Sequence, residues 1–329
     1  MEQTQIMTTK KSVRKDGSRA GWSMLWYAVI SMAVSIIWML GEIIIRTGIQ
    51  TQGITDTAEQ DRIFDEVATE VFDLSGTYLI VGVFAALGFL FLFFRKSGIA
   101  KTIFRSERKM TPAHFGCLAC VFFGGQLLFQ GGYMLIEAGL NLIGYTAENS
   151  MEMASAGSQT VSMFLYAGII GPIVEELVYR GFVLRHLEKH GKMLAVVVSS
   201  IMFGAMHANL PQGVFAFCVG LVLGYVAIEY SIIWSIVLHI LNNMVLGDLI
   251  SMALGECSEL VQNIVFYSVN GVFFLIGLII VIRKRAEIAA WIRQNMWEKP
   301  RMRWIMTTAG MILFILLHLL LGISMLEKL

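Results

Sequence analysis

Six polar side chains stand in apolar surroundings that give them no obvious reason to be there. In Gly171-Pro172-Ile173-Val174-Glu175-Glu176-Leu177-Val178-Tyr179-Arg180, two adjacent carboxylates and an arginine interrupt a greasy run. Phe203-Gly204-Ala205-Met206-His207 carries an imidazole, and His239-Ile240-Leu241-Asn242-Asn243 carries another with a carboxamide one turn later. Carboxylates, imidazoles and carboxamides are the groups from which acid–base catalysis and oxyanion stabilisation are built. They also build proton and ion paths through membranes. Spacing sorts them further. Glu176 and Arg180, at i,i+4, share a helix face and can pair. Glu175 lies about 100° around the helix and is the less favourable partner for the arginine. His239 and Asn243, also at i,i+4, project from one face. Pro172 lacks a backbone donor and disturbs the carbonyl of Gly168, so a kink that admits water is expected beside the glutamates. Each group also has a plainer reading: glutamates snorkelling at a helix end, a structural histidine, and a His–Asn pair acting as interhelical glue.

The elements that position these groups are set by the bilayer. Of 329 residues, 56% are hydrophobic and 15% charged, against roughly 25% charged in ordinary globular chains. A net charge of +1 gives no basic surface for nucleic acid. A hydrocarbon core of about 30 Å needs about 20 apolar helical residues. Nine runs qualify as spans: 22–45, 77–94, 113–143, 160–187, 193–208, 211–229, 231–248, 261–282 and 304–326. The fifth is short and the fourth carries charges. The first is retained, being too long for a signal-peptide core and having no cleavage site after it. Basic residues collect in cytoplasmic loops. In a nine-span chain, 22 of the 25 basic residues fall on one side, and the opposite loop 46–76 is acidic. The expectation is an all-α polytopic integral membrane helix bundle, N-terminus cytoplasmic and C-terminus outside. A basic cytoplasmic segment 1–21 leads to N-terminal transmembrane helices over 22–159. Residues 160–248 form a core, and helices over 249–329 close the chain.

Depth unites the polar groups. At 1.5 Å per residue, Glu175 lies roughly 18 Å, His207 roughly 21 Å and His239 roughly 12 Å from the cytoplasmic ends of spans four, five and seven. Tilt covers those differences, so the groups can meet inside the membrane. Span three adds a fainter stripe, Gln126, Gln130, Tyr133 and Glu137 at i, i+4, i+7 and i+11. It can face the same cavity and receive substrate backbone, or be a polar packing seam. Cys117-x-x-Cys120 lies in an apolar stretch and reads as packing. Gly220-x-x-x-Gly224 allows close helix approach, and His318 has no visible partner.

Glu175-Glu176-x-x-x-Arg180, Phe203-x-x-x-His207 and His239-x-x-x-Asn243, in that order on separate spans, resemble the CPBP family. Its members include the type II CAAX prenyl proteases and the bacteriocin-processing or self-immunity proteins, also called Abi proteins. The likeness covers about residues 160–248. It implies an α-helical intramembrane endopeptidase in which Glu175 and His207 activate water, His239 and Asn243 stabilise the oxyanion, and Glu176 and Arg180 support the first motif. The expected substrate is a membrane-associated protein or peptide, prenylated or exported. The expected setting is the plasma membrane of a prokaryote, with the lipid bilayer as the other partner and no nucleic acid. Two alternatives stand beside this: a non-catalytic immunity or partner-binding protein, and a transporter using the Glu/His cluster as a proton or ion path. Glu175, His207 and His239 also have the ligand types of a catalytic zinc site. We expect no cofactor, because the two-histidine single-helix spacing of common zinc proteases is missing. The flanking residues also offer few side chains to orient the imidazoles.

Overall fold

A computed structural model describes residues 9–155 and 160–329. The first eight residues of the basic segment 1–21, and residues 156–159 at the end of the region 22–159, lie outside the described residues. The described chain is all-α. Its helices are α1 Lys10–Gln50, α2 Thr57–Asp73, α3 Ser75–Phe94, α4 Pro112–Asn141, α5 Glu148–Ser155 and α6 Val161–His190. They continue as α7 Lys192–Met206, α8 Leu210–Glu229, α9 Ile232–Leu254, α10 Glu259–Asn295, α11 Lys299–Met306 and α12 Ala309–Ser324. A two-residue antiparallel pair, β1 Tyr145–Thr146 with β2 Glu327–Lys328, ties the loop after α4 to the C-terminal residues.

Each of the nine expected spans falls on a helix. Seven of those helices (α1, α3, α4, α6, α8, α9 and α10) are long and apolar enough to cross a membrane. The two exceptions have physical reasons. With 15 residues, α7 is about 22 Å long, so its C-terminus and His207 stop short of a full crossing. The ninth span is broken, with α11 and α12 meeting at 68°. Lys299, Arg301 and Arg303 make α11 too polar to continue into hydrocarbon, so the basic turn swings away and apolar α12 enters alone.

Helix α1 begins within the basic segment, where the Thr9 hydroxyl accepts from the Ser12 N–H at 3.3 Å. Residues from Lys10 onward are therefore helical rather than a separate arm. The acidic loop 46–76 contains α2, capped by Asp56. Its Ile63, Val67 and Val71 recur every fourth residue and are buried against Ile43 and Tyr78.

The charge pattern is matched by contacts at the two ends of the bundle. At one end Arg14 donates to Thr307, Arg19 to the Phe93 carbonyl, Arg301 to the His190 carbonyl and Lys192 to Glu229. At the other, Ser162 donates to the Asp73 carbonyl, Asn209 to the Ser150 carbonyl and Asn149 to Glu327. These groupings agree with alternating passes of the chain, although seven helices, or eight with the bent pair counted as one span, are long and apolar enough to cross. One basic residue leaves the count: Arg180 is fully buried and belongs to the interior, not to a loop.

The best-shielded part of the bundle is the centre of α6 to α9, where Val178, Phe182, Leu194, Val198, Met202, Phe203, Leu223 and Leu238 are closed off. Helices α1 and α10 instead leave Ile37, Ile44, Leu275 and Ile279 exposed, an apolar surface suited to lipid. Helices α4 and α10 meet closely: a side-chain carbon at Gly277 would lie 2.9 Å from the Cys120 carbonyl oxygen. Cys117 and Cys120 are free thiols in that seam.

Candidate active site

Pro172 decides the local form of α6. The turn before it, Tyr166–Ile170, is π-helical, and the Gly171 N–H donates five residues back to the Tyr166 carbonyl. Continued by one residue, that register would pair residue 172 with the Ala167 carbonyl. Proline has no N–H, so this carbonyl is left open. Asn243 fills it from α9: its Nδ2 donates to Ala167 O at 3.1 Å. The expected disturbance is therefore real, but it is absorbed by a wide turn instead of a break, and α6 remains one span. A π-helical stretch also follows the glutamates, Leu177–Leu184, and a third, Leu241–Leu249, contains Asn243. Such turns are frequent at functional sites because they re-aim side chains within a helix.

Glu176 is the centre of a closed network. Arg180 Nη1 donates to its Oε1 at 2.8 Å, and His239 Nδ1 donates to the same oxygen at 3.0 Å. The Ser235 hydroxyl, which also lies 3.1 Å from the Leu223 carbonyl, hydrogen-bonds Oε2. Glu176 and Arg180 are both fully buried, so the pair is viable only because these donors replace water. Arg180 sends Nη2 to the Gly220 carbonyl at 3.2 Å and lays its guanidinium carbon 4.3 Å from the Phe203 ring centre. Gly220 is more than a close-approach residue: a side-chain carbon there would meet Arg180 Nη2 at 3.2 Å and Ser200 at 3.1 Å. Its missing side chain is the space that the arginine occupies.

Glu175 turns the other way. Its side chain is 22% exposed, and its Oε2 stands 3.7 Å from His239 Nε2, beyond hydrogen-bond length. His239 is thus flanked by both glutamates, with Nδ1 bound to Glu176. A carboxylate only accepts, so Nδ1 carries a proton, and Nε2 is the nitrogen that faces Glu175. His207, the C-cap residue of α7, donates from Nδ1 to the Phe203 carbonyl at 2.8 Å, which leaves its Nε2 for chemistry. Ala208 follows at φ 47°, the left-handed region where a side chain is strained. It turns the chain sharply from α7 into α8 and fixes His207 at the corner. Phe203 stands among these groups, its ring 4.9 Å from that of His207, 5.7 Å from His239 and 5.4 Å from Tyr179.

The α4 stripe divides. Gln126 Nε2 donates to Asn242 Oδ1 at 2.7 Å and so reaches the residue beside Asn243. Gln130 lines a cavity of about 310 Å³ with a mixed polar and apolar wall between α4, α9 and α10, with Gln262, Asn263 and Asn270. Glu137 is bound to the loop beyond, accepting from Thr146 Oγ1 at 2.5 Å and from the Ala147 N–H at 3.1 Å. Tyr133 lies between them, near Glu137. His318 finds a partner in the Phe314 carbonyl, 2.8 Å from its Nδ1, and lines an apolar cavity of about 390 Å³ between α7, α8 and α12.

Among the described residues, no three His, Cys, Asp or Glu side chains are gathered so as to hold a metal ion. The expectation that few groups orient the imidazoles is overturned, however. Glu176 and the Phe203 carbonyl hold one ring nitrogen of each, and that service would suit a metal ligand and an acid–base histidine equally.

Residues 157–245 match the family described as type II CAAX prenyl endopeptidase Rce1-like. A protein of Bacillus subtilis (strain 168), named "Putative membrane peptidase YdiL", is 26% identical over 170 residues, which are 51% of this chain and 69% of that protein. No solved structure matches the chain. The helical fold and these likenesses describe a multi-pass membrane protein similar to membrane proteases. The three motifs all lie within the matched residues, and both likenesses support the resemblance to the CPBP family.

Proposed function

We propose that the chain is an intramembrane endopeptidase that hydrolyses a peptide bond of a membrane-associated protein or peptide. The supporting observation is the convergence of α6, α7 and α9 on one buried point, with His239 between Glu175 and Glu176 and Asn243 braced across to α6. Glu175 is the carboxylate that stays free of the closed network, so it takes the proton of the attacking water. His207, with Nε2 uncommitted, shares that proton and returns it to the leaving amine. Asn243 has a second amide hydrogen beyond the one given to Ala167, and this faces the developing oxyanion. His239 joins it by donating from Nε2, for which the ring must carry protons on both nitrogens. Prenylated or exported proteins are the substrate class that the family resemblance favours. The reading is tested by comparing N-termini in membrane proteomes from cells carrying the wild type or a Glu175 variant. New N-termini that depend on Glu175 support it, and identical sets count against it.

The site works without metal in this proposal. Purified protein is expected to keep its activity after exhaustive chelation. Stoichiometric zinc, with activity lost on its removal and regained on its return, would show the opposite.

The N-terminus is cytoplasmic and the C-terminus outside, following the basic residues. In a protein freed of its four native cysteines, Asp61→Cys is expected to react with an impermeant thiol reagent on intact cells, and Lys96→Cys only after permeabilisation. Both positions are exposed. Reversed labelling, or equal labelling of both, would overturn this orientation.

A further inference from the structure

Asn243 does not hold its carboxamide alone. Gln126 Nε2 donates to Asn242 Oδ1 at 2.7 Å, Asn242 Nδ2 donates to Asn243 Oδ1 at 3.1 Å, and Asn243 Nδ2 donates to Ala167 O at 3.1 Å. The chain of amides runs from α4 through two neighbouring residues of α9 to α6. Its direction follows from its last member. The Ala167 carbonyl can only accept, so the atom of Asn243 that faces it must be nitrogen. The other atom, facing Asn242, is then oxygen, and Asn242 must donate to it. Asn242 in turn presents its own oxygen to Gln126, which must donate. The whole sequence is polarised from one end, by the carbonyl that Pro172 leaves open.

We propose that Gln126 and Asn242 are positioning residues for catalysis: they lock the carboxamide of Asn243 with its amide hydrogens toward the site. The proposal rests on the reading of Asn243 as an oxyanion donor. Without Asn242, the Ala167 carbonyl alone opposes a half-turn of the Asn243 side chain, which would present an oxygen to the oxyanion and repel it. A carboxamide is nearly symmetrical in shape, so packing alone discriminates poorly between the two orientations. The hydrogen-bond chain supplies the discrimination, and it does so from a helix, α4, that lies outside the three motifs.

A relay of this kind differs from a simple helix-to-helix link, and two variants separate them. Asn242→Asp can still accept from Gln126 but cannot donate to Asn243, so the α4–α9 link survives and the polarity is lost. Gln126→Lys combined with Asn242→Asp replaces the link by an ion pair and still offers Asn243 no donor from position 242. The readout is the yield of Glu175-dependent N-termini, with thermal stability in detergent measured alongside. Asn242→Asp is expected to lower cleavage about tenfold or more, and the double variant to stay low while its melting temperature matches the wild type. Wild-type cleavage by Asn242→Asp would overturn the relay. So would recovery of cleavage in the double variant, because a mere link would then suffice. Should the aspartate variants fail to fold, Gln126→Leu serves instead: it frees the Asn242 amide to turn, and undiminished cleavage by it would equally overturn the proposal. Glu175→Gln, run beside them, isolates the underlying reading. If that variant cleaves normally, the proposed endopeptidase mechanism fails, whereas a dead Glu175→Gln with an unaffected Asn242→Asp sinks the relay alone.

Discussion

Glu175→Gln protein is expected to insert, fold and melt like the wild type and to produce none of its new N-termini. The two halves of this result have separate causes. Glu175 accepts no hydrogen bond from its nearest charged neighbour, His239 Nε2 at 3.7 Å, and its side chain is 22% exposed. An amide of the same shape costs little there, below about 1 kcal/mol. The amide cannot take a proton from water, and general base catalysis accounts for about 10²–10⁴-fold in rate. The measurement pairs N-terminal proteomics of membranes with thermal melting of the purified protein. Well-folded Glu175→Gln that cleaves at more than a tenth of the wild-type rate would sink the assignment. His207→Gln belongs in the same series, because its backbone bond to Phe203 orients the ring but leaves the working nitrogen without a substitute.

The site was legible in the sequence to the extent that helix periodicity could make it so. Spacing of i,i+4 puts Glu176 with Arg180, and the 2.8 Å bond between them agrees with a shared face; from His239 to Asn243 the same spacing runs into a π-helical stretch. The same rule extends one turn back from His239 to Ser235, a stripe of three that completes the carboxylate's partners. What the spacing cannot give is the register between helices. The Ala167 carbonyl becomes an acceptor only because a π-helical turn meets a proline, and Gly220 matters only because Arg180 crosses from α6 to α8. The α4 stripe shows the limit from the other side. From Gln126 to Glu137 it runs about 16 Å, so its members share a face yet reach different depths. Gln126 meets α9 and Glu137 meets the loop at the end of the bundle. The apolar runs were legible because hydropathy and charge alternation are one-dimensional properties, but nine spans were expected and seven helices, or eight with the bent pair, are long and apolar enough to cross. The break between α11 and α12 follows from three basic residues near one end of an apolar run.

Glu176→Gln is expected to be the most damaging single change to stability. The substitution preserves shape and most hydrogen bonds: an amide oxygen can still accept from Arg180 and His239, and the amide nitrogen can face Ser235. It removes the charge that offsets a fully buried guanidinium. Breaking one half of such a pair costs about 3–5 kcal/mol, enough to lower the melting temperature by on the order of 10 °C. Arg180 has nowhere to relocate. Its Nη2 is bound to Gly220, its plane lies on Phe203, and Nε has no partner within the bundle. Arg180→Met should be destabilising for the converse reason, although Ser235 and His239 still serve the carboxylate it leaves behind. The two changes together remove both charges from an apolar setting, so the double variant is expected to melt above Glu176→Gln and to cost less than the sum of the singles. Its coupling should be at the upper part of the range of about 0.5–3 kcal/mol seen for contacting residues. Additive losses in that cycle would mean that Glu176 and Arg180 do not offset each other's buried charge. Cleavage should not return with stability, because in the double variant His239 faces an uncharged neighbour where the Glu176 carboxylate held its Nδ1.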